Sequence, residues 1–271
     1  MVRFTNLRQL LLDFQTAQDE VVCVSDVPAA VFEFIQRARE KEKPWFPFRR
    51  ARLTYIPSGY AVDTGLAVDT GLLLILVALS HRREAASQGL IFQLQRKGFE
   101  MGLKKNLRGR GSSTTEVSRS SLEPDSRSSL EPDSCFCPDG PKTCSVAIEV
   151  ADSQSFDSAR VKAALWCQLP SMKAVILVKI DAGENTITVS KVVPVFRDIG
   201  TRSGSTPYPQ EVACVVVRPV ADAAYEVDPG RDQSIALACD DLTTEVPPAG
   251  PRDFVLDAEF FCGWAEEVWE E

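Results

Sequence analysis

The segment from Glu131 to Gln154, EPDSCFCPDGPKTCSVAIEVADSQ, constrains the fold more than any other part of the chain. Asp139-Gly140-Pro141 is a turn signal, because glycine tolerates positive φ and proline fixes φ while removing a backbone donor. On its far side, Ser145 to Ala151 is a short apolar, β-branched run with one acid in its middle. If the two flanks form a hairpin centred near Pro141, Asp133 stands opposite Glu149. Carboxylates that face each other across a sheet repel unless a cation or a proton lies between them. The arrangement therefore points to a divalent metal site, with a phosphodiester as the natural substrate.

A chain of 271 residues has room for one large domain or two small ones, and an apolar content of 44% supports a sizeable core. The net charge of −8 argues against a general nucleic-acid coat protein. Charge is uneven, however: Arg82 to Arg110 is mostly basic and Ala221 to Glu271 mostly acidic. Met1 to Phe14 mixes charges into its leucines, unlike a secretory signal. The greasiest run, Gly71 to Leu79, is about half the length that spans a bilayer. The expectation is a soluble intracellular protein, cytoplasmic or nuclear, with no membrane partner. Eight cysteines then read as reduced thiols. Cys135, Cys137 and Cys144 are close enough to raise zinc, but C-x-C-x6-C lacks a nearby fourth ligand and His81 is the only histidine.

Met1 to Lys43 reads as helical and peripheral, with Asp26-Val27-Pro28 as a helix opening and Val31, Phe32, Phe34 and Ile35 as an apolar stripe. Arg52 to Ile56 reads as a strand. A tandem duplication follows, AVDTGL at 61–66 and 67–72, too short for a solenoid repeat and taken as a lengthened hairpin loop. Leu72 to Leu79 suits a buried strand. Ser80 caps a helix that runs to about Phe99 on the apolar side of Leu90, Ile91, Leu94 and Phe99. Residues 104–130 are polar and contain a second duplication, SRSSLEPD at 118–125 and 126–133; disorder is expected there. After the hairpin come a helix near 157–168 and strands at 174–180 and 186–193, joined by Gly183-Glu184-Asn185. Val212 to Val217 and Ser234 to Ala238 are further strands, and Phe254 to Glu270 closes the chain as a helix. The order implies an α/β (α+β) fold with a central mixed β-sheet flanked by helices. It divides into a helical N-terminal segment (1–45), a core (46–200) with the low-complexity insertion, and an acidic C-terminal extension (201–271).

Glu131-Pro132-Asp133 with Phe136, then Ala147-Ile148-Glu149-Val150 with Ser153-Gln154, resembles the PD-(D/E)XK, or restriction-endonuclease-like, nuclease superfamily. The resemblance is to a fungal branch related to bacterial restriction-endonuclease-like proteins, which carry EPD-x-x-F and then V-I-E-V-x-x-S-Q. It extends upstream through Leu72 to Phe99, with a histidine at the helix start (His81), and downstream to about Val193. The resemblance implies a restriction-endonuclease-like core and a nuclease that hydrolyses phosphodiester bonds. It further implies Mg²⁺ or Mn²⁺ ligated by Asp133 and Glu149, and a nucleic-acid substrate. The family places a lysine two residues past the glutamate, where this chain has Ala151. Gln154, which can orient a water, and Lys162, four residues before Trp166, are the candidates to compensate.

Several residues have plainer readings. Asp125 shares the upstream context of Asp133, but only Asp133 stays in register with Glu149; Asp139 reads as a hairpin-tip residue. Lys162 is equally a solvated helix lysine. Arg82, Arg83, Arg96 and Lys97 could steer a phosphate backbone, but the preferred reading is the wet face of an amphipathic helix. Two other functions compete with the nuclease. One is a catalytically inactive scaffold that kept the fold. The other is a protein-interaction module in which the acidic C-terminus recruits a partner through its aromatic residues. On that last reading, deleting Phe254 to Glu271 leaves the fold intact.

Overall fold

The computed structural model describes residues 2–7, 9–10, 21–40, 52–57, 70–76, 81–103, 107, 109–111, 115–118, 127–130, 132–138, 144–152, 156–196, 207–220, 224–248 and 252–270. The chain forms two compact units. The first comprises Met1–Leu79 and Thr114–Glu131, the second Ser80–Ser113 and Pro132–Glu271.

The first unit is built on a six-stranded mixed sheet. Its strands are β1 (Val2–Arg3), β2 (Val21–Pro28), β3 (Arg52–Pro57), β4 (Thr70–Leu76), β6 (Thr115–Ser118) and β7 (Arg127–Leu130), in the order β1-β2-β4-β3-β7-β6. The N-terminal segment is thus not helical throughout, as its sequence suggested. The Val21–Val24 run pairs with β4 instead, and helix α1 (Ala29–Glu40) begins only after Pro28. β-branched side chains lose rotamer freedom in a helix and pack well on a pleated surface. Asp26 takes φ 58° at the register shift between Val24 and Val27, a left-handed conformation that aspartate tolerates. Phe32 stacks on Tyr55 with ring centroids 4.6 Å apart, and the Tyr55 hydroxyl donates to the Val27 carbonyl at 3.0 Å. β3 and β4 pair antiparallel down to Pro57 opposite Gly71. Thr70 to Leu72 of the second AVDTGL copy open β4, and the rest of the expected lengthened loop, 58–69, lies outside the described residues. The stretch expected to lack structure contributes β6, β7 and the short β5 (Gly109–Gly111) of the second unit. The second SRSSLEPD copy supplies β7.

The second unit carries a seven-stranded sheet. Its strands are β5, β8 (Ser134–Phe136), β9 (Val146–Ala151), β10 (Ala174–Asp181), β11 (Thr186–Val195), β12 (Tyr208–Pro219) and β13 (Tyr225–Val227), in the order β13-β12-β11-β10-β9-β8-β5. Side chains alternate across its strands. Phe136, Val146, Ile148, Val150, Ile176 and Val178 form one face of a core with helices α2 (His81–Glu100) and α5 (Ala258–Trp269). Ala147, Glu149 and Ala151 alternate with these and lie under α3 (Phe156–Trp166), the crossover that joins β9 to its parallel neighbour β10. The expected mixed sheet flanked by helices is present. β14 (Ile235–Ala238) and β15 (Asp253–Leu256) form a separate two-stranded ribbon, with the one-turn α4 (Cys239–Leu242) after β14.

The C-terminal residues are not a detached extension. β12 continues the sheet from β11, and Phe254, Leu256, Phe261, Trp264, Ala265 and Val268 are fully buried in the same core. Trp264 also donates its indole N–H to the Ala86 carbonyl of α2 at 3.2 Å. Phe254, Phe261 and Trp264 belong to the core, which corrects the expectation that deleting Phe254 to Glu271 leaves the fold intact. Among the described residues, no helix is long and apolar enough to cross a membrane.

Candidate acid-pair site

β8 and β9 pair antiparallel with Ser134 opposite Ile148, Cys135 opposite Ala147 and Phe136 opposite Val146. That register centres the hairpin on position 141 and brings Asp133, the residue before β8, level with Glu149. The turn itself, with Asp139 and Pro141, lies outside the described residues, as do Asp125 and Gln154.

Asp133 leaves the regular ladder at the mouth of the hairpin. Its N–H donates to the Ile148 carbonyl at 3.1 Å, and its carboxylate Oδ2 accepts the Val150 N–H at 2.6 Å. The side chain thus replaces the backbone acceptor that β8 no longer supplies. Because the Val150 nitrogen is bonded to the Glu149 carbonyl carbon, Oδ2 lies within about 5 Å of the Glu149 Cα.

Each acid is held by a helix from a different face of the sheet. From α2, Arg83 donates Nε to Asp133 Oδ1 at 2.8 Å and Nη2 to Oδ2 at 3.0 Å, the fork geometry that a guanidinium offers a carboxylate. From α3, Lys162 donates Nζ to Glu149 Oε2 at 3.1 Å, and Trp166 donates its indole N–H to Oε1 at 2.8 Å. Lys162 and Trp166 are four residues apart, so one helix face presents both donors. The four charged side chains are 0–9% exposed, and Lys162 is the one nearest to solvent. Each carboxylate thus meets one cation, and each pair is neutral where burial makes an uncompensated charge expensive.

Lys162, named from the resemblance for its place four residues before Trp166, is not a solvated helix lysine but stands on Glu149. Arg83 corrects the reading of α2: it is 1% exposed and belongs to the buried stripe with Ala86, Ser87, Leu90 and Leu94, not to the wet face. That stripe repeats every three to four residues, so the signal was present in the sequence. Arg82 lies over the Trp269 ring, 4.9 Å from its centroid; Arg96 pairs with exposed Glu100; Lys97 donates to the Val255 carbonyl. His81 is the first residue of α2.

The donor set suits a hard divalent ion. Carboxylate oxygens are the ligands that Mg²⁺ prefers, and each oxygen of Glu149 accepts one of the hydrogen bonds described, leaving coordination capacity. Glu149 has that capacity, with Lys162 as the cation that would yield its place, whereas Asp133 is engaged by Arg83 and the Val150 amide from the other face of the sheet. Among the described residues, no group of three or more His, Cys, Asp or Glu side chains is arranged to hold a metal. That statement also covers the three cysteines of the hairpin, buried thiols with the Cys135 and Cys137 sulfurs 3.6 Å apart. Hydrogen bonds with Cys135 and Cys137, and then burial, push the Cys144 thiol far up.

No protein-family model and no curated protein matches the chain.

Proposed function

We propose that the second unit is a metal-dependent phosphodiester hydrolase of the PD-(D/E)XK type, with a restriction-endonuclease-like core and a nucleic acid as substrate. One observation carries this reading: Lys162 donates to Glu149 at 3.1 Å, with Asp133 level across the hairpin. One acid and the lysine named from a motif that lacks its usual lysine thus meet, and the second acid stands level with the first across the hairpin. The Glu149 strand followed by a helix and a parallel strand also agrees with the element order of the resemblance.

Mg²⁺ supplies, when bound, polarisation of a phosphate and a water of lowered pKa. The chain's own residues do the positioning. Trp166 fixes the Glu149 carboxylate by one oxygen. Arg83 and the Val150 amide fix Asp133. Lys162 places a buried positive charge beside Glu149. A site of this kind acts on nucleic acid inside the cell.

A second reading, the inactive scaffold, is favoured by the Arg83 fork. A carboxylate already engaged by a buried guanidinium has less to give a metal, and a divalent ion added to a neutral buried cluster brings uncompensated charge.

Plasmid and single-strand cleavage with Mn²⁺ tests the proposal, comparing the wild type with Glu149→Gln and Asp133→Asn. The expected result is cleavage by the wild type and loss in both variants, with Mn²⁺ binding by calorimetry weakened in parallel. No metal binding by a folded wild type would leave the scaffold reading standing.

A further inference from the structure

The two acids differ in how fully they are engaged. Asp133 Oδ1 accepts Arg83 Nε at 2.8 Å, and Oδ2 accepts both Arg83 Nη2 at 3.0 Å and the Val150 N–H at 2.6 Å. Glu149 has one donor on each oxygen, Lys162 on one and Trp166 on the other. The Arg83 fork thus lies along the carboxylate edge of Asp133, where a cation would sit. Charge makes fork and ion compete. Both ion pairs are shut off from water and already neutral, so a divalent ion added to them brings positive charge with nothing to balance it. Without the guanidinium, Asp133 is a buried carboxylate in need of a cation.

We propose that Arg83 is an internal competitor that keeps Asp133 from a divalent ion, an autoinhibitory contact between the first turn of α2 and the mouth of the β8–β9 hairpin; this rests on the hydrolase reading above. The ion and the guanidinium exclude each other at Asp133, so the affinity for metal is set by how firmly Arg83 holds the acid. Lys162 does not share this role, because it occupies one oxygen of Glu149 and leaves Asp133 untouched.

The test uses the full chain with Arg83→Gln and Arg83→Met, and Arg83→Gln/Asp133→Asn as the control. Mn²⁺ alone is titrated by calorimetry, and thermal melts are run with and without it. The expected result is Mn²⁺ bound at least about tenfold more tightly by the neutral variants than by the wild type, because a like charge a few ångströms from an ion costs more than that factor in a protein interior. Mn²⁺ should also raise their melting temperature, and the control should lose both gains. Melts identify which neutral variant is folded, and that one is compared. If neither melts cooperatively alone, the return of a cooperative melt in Mn²⁺ supports the competition and its failure to return overturns it. A folded neutral variant that binds Mn²⁺ no more tightly than the wild type overturns it, as does a gain that survives Asp133→Asn. Plasmid cleavage separates the two readings. If the wild type cleaves while the folded variant binds no more tightly, the hydrolase reading survives without the competition. If the variant binds more tightly and neither protein cleaves, the competition stands and the hydrolase reading falls. A wild type and variants that bind no Mn²⁺ sink both.

Discussion

Arg83 holds Asp133 through two near-parallel hydrogen bonds of 2.8 and 3.0 Å, across 50 residues of sequence, with both side chains shut off from water. The pair ties the first turn of α2 to the mouth of the β8–β9 hairpin. Removing either partner leaves a buried charge uncompensated, which costs about 3–5 kcal/mol, whereas replacing both with apolar side chains of similar volume is often close to neutral. Arg83→Ala and Asp133→Ala are each expected to lose that much in urea unfolding. The double variant Arg83→Met/Asp133→Leu is expected to recover part of it, short by about 1–3 kcal/mol for the Val150 N–H that loses its acceptor. Additive losses in the double variant would mean that the pair is not coupled.

Glu149 offers a finer comparison, because its two donors differ in charge. Trp166→Phe keeps the ring and deletes one neutral N–H, a loss of about 1–3 kcal/mol for a buried acceptor left short of a partner. Lys162→Met keeps the length of the side chain and deletes the neutralising charge, and is expected to cost more. Equilibrium unfolding should therefore rank Lys162→Met below Trp166→Phe, with both below wild type. The reverse ranking would mean that the indole, not the ammonium, settles the glutamate in its buried place.

The hairpin was legible because a turn signal and two flanking runs fix a register by themselves: the pairing of Ser134 with Ile148 follows from centring on Pro141. That Lys162 and Trp166 share a helix face was legible from their four-residue spacing; that this face meets Glu149 was not. Arg83 was misread because a charged residue on an apolar stripe is ordinarily at its margin; only the tertiary fold shows that the stripe's first turn meets an acid. The register of β10 on β9 was invisible for a different reason: it exists across a parallel pair, and a crossover of more than twenty residues gives no local clue to it. The N-terminal β2 likewise depends on a partner, β4, that lies far along the chain.

Alkaline pH probes the buried thiols. Burial raises Cys167 from the ordinary value of 9.0 to about 11, and Cys144 is also pushed up, by its hydrogen bonds with Cys135 and Cys137 and then by burial. The folded pKa lies above the unfolded one, so the stabilisation is fully present below about pH 9 and is lost as pH rises through the folded value. For Cys167 a shift of this size corresponds to roughly 2–3 kcal/mol. The urea midpoint is expected to be flat in these thiols' contribution up to pH 9 and to fall between pH 9 and 11. Cys167→Ala should flatten part of that fall. An identical alkaline limb in the variant would place the loss on other groups.

Truncation at Asp253 separates the acidic charge of the C-terminus from its packing. The deletion removes Phe254, Leu256, Phe261, Trp264 and Val268, each fully buried. Burying one such side chain contributes about 1.5–3 kcal/mol, so the set matches or exceeds the 5–15 kcal/mol typical of a whole domain. The truncated chain is expected to show no cooperative melt of its second unit by circular dichroism. Exposed Glu259, Glu266 and Glu270 sit on the outer side of α5, away from that core. Their joint replacement by glutamine is expected to leave the melt within a few degrees of wild type. A truncated protein that melts cooperatively at the wild-type temperature would show that α5 and β15 only cover the core without holding it.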